Sequence, residues 1–165
     1  MTTEIGAVEW TTYSVSGTTL ADVVAAISHL PEAGQTTWPA TFDYQADGNG
    51  AISSATVTVR RVINLPQWDG YSSAGSAAQA EWDRFSAALQ AHETGHSDLV
   101  EQYLQGLDAQ MVGHSASDAQ QIFDTALQTL QAASDAYDQQ TNHGQNDGTV
   151  VDTSVDAAEA GSAQP

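Results

Sequence analysis

Trp82, Phe85, Leu89, His92, His96, Leu99, Tyr103 and Leu107 follow one another at steps of three or four, the spacing of a single helical stripe. The pattern predicts a helix from about Ala77 to Met111. A helix this long constrains the whole chain, because the remaining segments must cover its apolar face. Two of the core-facing positions are histidines. An unpaired imidazole in such a slot costs about a few kcal/mol. Two solvated histidines would fall off the stripe, and these lie on it, so a shared ligand is the better account.

The stretch reads His92-Glu93-Thr94-Gly95-His96. Residues four apart on a helix stand one above the other, so His92 and His96 can offer two ring nitrogens to one metal ion. With no cysteine in the chain, the donors are imidazole and carboxylate, and Zn2+ is the expected metal. Glu93 is rotated by about 100° from His92, which puts a carboxylate beside the metal rather than on it, in the position of a general base. These features predict a zinc metallopeptidase acting on a peptide or protein substrate. The competing reading is a zinc-stabilised binding module that cuts nothing. Such a site tends to fill all four positions with protein ligands and has no use for Glu93.

The rest of the chain predicts an α+β fold of order β-α-β-β-α-α, with a small, mainly antiparallel sheet of about three strands packed on a long helical hairpin. Val8–Ser16 alternates as a strand, and Thr18 or Thr19 caps a helix running to about Leu30. Thr36–Gln45 and Ile52–Leu65 read as strands joined by a turn at Asp47-Gly48-Asn49-Gly50. The alternation of the second slips near Arg60 and Arg61, which suggests a bulge. Ser117 and Gln120 fit a capping box for a last helix from about Asp118 to Gln140. Residues 1–148 are read as the metalloprotease-like domain, and 149–165, almost without large apolar side chains, as an acidic disordered tail.

The motif supplies only two ligands. If the two long helices turn back near Ser115, residues at equal depth have numbers summing to about 230, which sets Tyr137 beside Glu93. His114 lies about 27 Å down the helix from His96 and is excluded as a ligand. His29 reads as a helix-end cation, and Glu101 points to another face. His143, in a turn ended by Gly144, is the expected third ligand, with Asp138 as the alternative. Asp138 otherwise holds the second ring N–H of a zinc histidine. Tyr137 is a candidate for stabilising an oxyanion, or is simply a core side chain with a bonded hydroxyl.

Charge bounds the partners. Twenty-one acidic residues against three arginines give a formal net charge of -18, which repels phosphate backbones and anionic membranes. No nucleic acid and no membrane is expected, and a monomer is. The first 25 residues carry no basic and apolar signal-peptide pattern, which leaves a cytoplasmic location open.

Leu65-Pro66-Gln67-Trp68, Trp82-Asp83-Arg84-Phe85, the Leu89–His96 stretch, and Tyr137-Asp138-Gln139-Gln140-Thr141-Asn142-His143-Gly144 together resemble a family of small bacterial proteins. That family is catalogued as a domain of unknown function and described as predicted secreted zinc-dependent proteases. The resemblance runs from about Val8 to Gly144. It implies zinc proteolysis and a secreted or periplasmic location.

Overall fold

Every other strand of the four-stranded sheet pairs with β4 (Ile52–Trp68). The remaining strands are β1 (Thr2–Val15), β2 (Gln35–Thr37) and β3 (Ala40–Ala46), and the helices are α1 (Leu20–Ile27), α2 (Ser76–Leu104), α3 (Leu107–Met111) and α4 (Ala116–Thr141). The fold is mixed α+β, with α1 between β1 and β2 and the other helices after the last strand, and the computed structural model describes residues 2–156.

Pro39 lacks the N–H that a strand ladder needs, so the single strand expected over Thr36–Gln45 is divided into β2 and β3. β3 and β4 form an antiparallel hairpin in which Ala40 faces Val59 and Tyr44 faces Ala55. Its turn is held by Asp47, whose Oδ1 accepts the N–H of Asn49 at 2.8 Å and of Ala51 at 3.0 Å. Contacts between β1 and β4 climb together in both strands: Arg61 to Gly6, Thr11 to Ile63, Asp69 to Val15. That pair is therefore parallel, and α1 belongs to the crossover it requires. Buried positions of β4 fall on odd numbers from Ala55 to Ile63 and on even numbers at Pro66 and Trp68. The alternation thus changes phase after Ile63, past the arginines where a bulge was expected.

The chain divides into two compact units. The first holds Thr36–Val62, Gly95–Gln139 and β1 through Glu9; the second holds Trp10–Gln35, Ile63–Thr94 and the chain from Gln140 on. The first is built around Val57, Val59, Val100, Leu104, Met111 and Leu130, none more than 1 % exposed. Arg61 is anchored there, its Nε–H donating to Gly6 at 2.9 Å and its Nη1 lying 3.6 Å from Glu101. The second is built around Leu20, Val23, Trp68, Trp82, Phe85 and Leu89.

The long helix is shorter than its periodicity predicts. α2 stops at Leu104, Gly106 turns left-handed at φ 78°, and Leu107–Met111 forms a separate short helix. Gly106 has no Cβ and so enters this conformation without strain. Thr19 caps α1 in a box with Asp22. At the start of α4 the cap is Ser115, which accepts the N–H of Asp118 and donates to its carboxylate, not the expected pair Ser117 and Gln120.

The C-terminal reading needs a correction over its first eight residues. Val151 and Val155 pack on the core of the second unit, and Asp156 accepts the N–H of Leu20 at 3.2 Å and of Ala21 at 3.0 Å. Two valines and one helix-capping carboxylate thus help to dock a strap that composition marks as free. Residues 157–165, the rest of the expected tail, lie outside the described residues.

Candidate metal centre

The histidines of the motif lie on one uninterrupted helix, α2, four residues and hence about one turn apart. His92 is 5 % exposed, Glu93 4 % and His96 6 %. Burial of these three polar side chains within about one turn is what a packed site produces, since a solvated helix face would leave them open.

Around His96, α4 supplies the neighbours. His96 Nε2 lies 3.1 Å from Asp138 Oδ1, and His96 Nδ1 lies 2.8 Å from Ser134 Oγ. Tyr137 stands edge-on to the His96 ring, with centroids 4.9 Å apart and planes at 87°. The phenol tip presses on Gly95, where an added Cβ would come 2.6 Å from Tyr137 Cζ. Gly95 inside a helix is thus explained by a side chain rather than by a second backbone. Ser134 was not singled out by the sequence reading, although its depth on α4 matches that of His96 by the same sum near 230 that selected Tyr137.

Around His92 and Glu93, the neighbours come from loops. A Cβ on Gly34 would stand 2.5 Å from Glu93 Oε1 and 2.8 Å from its Cγ, so the backbone at Gly34 lies directly on the carboxylate. Tyr13 holds that loop by donating its hydroxyl to the Ala33 carbonyl at 2.6 Å. Burial pushes the Tyr13 hydroxyl above its ordinary pKa. Against His92, a Cβ on Gly144 would meet Cγ at 3.0 Å. Asn142, His143 and Gly144 are three successive left-handed residues with φ of 51°, 53° and 75°. That sharp turn brings Gly144 against His92, and Asp147 Oδ2 lies 4.0 Å from His92 Nδ1.

His92, His96 and Asp138 each offer one ligand atom, and these atoms lie within 4.8 Å of one another. Tetrahedral zinc with ligands at 2.0–2.1 Å needs separations of about 3.3 Å. Two imidazoles and a carboxylate are a donor set that could hold a metal ion, once the side chains close from separations of up to 4.8 Å. His143 is exposed and falls in a second such group, with Glu32 and Asp138. Asp138 is common to both. His29 and His114 are exposed and belong to neither group.

The model of a family described as bacterial proteins of unknown function, DUF922, matches residues 10–144. The chain belongs to that family. No curated protein and no solved structure matches it. The matched span contains every residue of the DUF922 chain placed at the centre above, from Tyr13 to Gly144, except Asp147. The docked strap from Thr149 lies beyond it. No helix among the described residues is long and apolar enough to cross a membrane.

Proposed function

We propose that this chain is a zinc-dependent peptidase in which His92, His96 and Asp138 hold the metal and Glu93 is the general base. The observation that carries the reading is the buried Glu93 carboxylate on the same helical turn as two histidines that share a ligand group with Asp138. A module that used zinc only for stability would gain nothing from burying a further carboxylate there.

When bound, zinc would polarise a peptide carbonyl and bring the pKa of a water towards 7. The chain's own residues do the proton work. Glu93, pressed by Gly34, has little freedom to swing away and is poised to take a proton from the attacking water and return it to the leaving amine. His96 is fixed from three sides by Ser134, Tyr137 and Asp138, so its ring arrives oriented. Tyr137, whose hydroxyl end lies against Gly95, would stabilise the oxyanion.

In this reading Asp138 takes the third position, because it shares the group with both motif histidines, while His143 shares one with Asp138 and Glu32. The net charge of -18 favours cationic stretches of a protein substrate and disfavours nucleic acid and anionic membrane. The test is zinc stoichiometry together with hydrolysis of an unfolded protein substrate such as casein. Zinc without hydrolysis would favour the binding module.

A further inference from the structure

Both ring nitrogens of His96 meet α4, one at Asp138 and one at Ser134. Ser134 and Asp138 are four residues apart, so they share a face of α4 and bracket the imidazole between a hydroxyl and a carboxylate. Ser134 is itself 5 % exposed.

The two contacts have different fates when a metal is held. A neutral imidazole has one N–H and one lone pair. If Nε2 gives its lone pair to a metal beside Asp138, it has no proton left for that carboxylate, and the Asp138 contact in its present form must end. The contact at Nδ1 can persist, provided the nitrogen carries the proton and Ser134 accepts it. If instead the hydroxyl donates to Nδ1, the lone pair is on the wrong side of the ring and Nε2 is closed to the metal. The direction of one buried hydrogen bond therefore decides whether His96 can act as a ligand.

We propose that Ser134 is a positioning residue for the metal: it accepts the Nδ1–H of His96 and so keeps the ring in the tautomer whose Nε2 lone pair lies beside Asp138. The hydroxyl suits the task because it can accept from Nδ1 while its own proton goes elsewhere. The inference rests on the reading of His96 as a metal ligand.

The experiment measures zinc affinity by chelator competition for wild type, Ser134→Ala and Ser134→Cys, with melting temperature as a check on folding. The cysteine variant fills the space but is a weak acceptor. Both variants are expected to bind zinc roughly 10–100-fold more weakly, the usual cost of losing a partner of a ligating histidine. In zinc-loaded, histidine-labelled wild type, nitrogen NMR should show Nδ1 of His96 protonated and slow to exchange, and Ser134→Ala should exchange it faster. Folded variants with wild-type zinc affinity, or a zinc-loaded wild type with Nδ1 unprotonated, would overturn the role of Ser134 alone. A wild type that takes up no zinc would overturn the metal reading, and this proposal with it.

Discussion

A methyl group on Gly95 would stand 2.6 Å from Cζ of Tyr137, well inside the contact distance of two carbons. Alanine favours a helix over glycine by about 1 kcal/mol, so by propensity alone Gly95→Ala should stabilise α2. Overpacking costs about 1–3 kcal/mol, and Tyr137 cannot withdraw without leaving the His96 ring it abuts. The expected outcome is a lower melting temperature for Gly95→Ala and its recovery in Gly95→Ala with Tyr137→Leu. Thermal unfolding of the single and double variants measures this.

Gly34→Ala acts on the carboxylate in the same way. Its Cβ would reach within 2.8 Å of Glu93 Cγ, a position set by the helix rather than a loose side-chain tip. Glu93 must shift, while the zinc ligands on α2 and α4 need not. Turnover should fall by about tenfold or more, part of the roughly 10²–10⁴-fold that a general base contributes, with zinc affinity unchanged. Steady-state hydrolysis alongside zinc competition separates the two effects.

Asp138 and His143 make opposite claims on the third metal position. Asp138→Ala should abolish tight zinc binding, and it should also free Nε2 of His96 from its present partner. His143→Ala should leave zinc bound, because its ligand group contains neither motif histidine. Titrating both variants with zinc gives the answer, and the reverse pattern would restore His143 as the ligand.

The C-terminal strap is docked by Arg84, which donates to the carbonyls of Gly148 and Val150, and by Glu81, which accepts the N–H of Asp152 at 2.6 Å. Truncation after Val151 removes Val155 from the core and Asp156 from the first turn of α1. At this chain length about 1 kcal/mol moves the midpoint by roughly 2–4 °C, and a drop of at least that size is expected. The dock should also weaken in acid. The Arg84 guanidinium holds the Glu81 carboxyl below its ordinary value of 4.5, so its contribution is complete above that pH and is lost as pH falls through the lowered value. Proteolysis of the C-terminus across pH 3–6 would follow this release.

The stripe from Trp82 to Leu107 made the long helix and its buried histidines readable, because a 3.6-residue period and a four-residue ligand spacing coincide. Tyr137 and Asp138 were reachable by depth alone, since two antiparallel helices rise at the same rate. Hidden from such reasoning were the contacts made by backbone: Gly34 on Glu93 and Gly144 on His92 leave no periodic trace. The break at Gly106 was missed because apolar spacing continues across it into α3. The strap was missed because two valines in a polar stretch carry too little apolar weight to stand out.

The central claim is that Glu93 serves chemistry and not architecture, and one comparison tests it: zinc content and casein hydrolysis for wild type and Glu93→Gln. Glutamine preserves size and hydrogen bonding but cannot take a proton. The account predicts a folded variant with one zinc per chain and turnover reduced by roughly 10²–10⁴-fold. Zinc-loaded Glu93→Gln that hydrolyses as fast as wild type, or wild type that holds zinc and hydrolyses nothing, would contradict it.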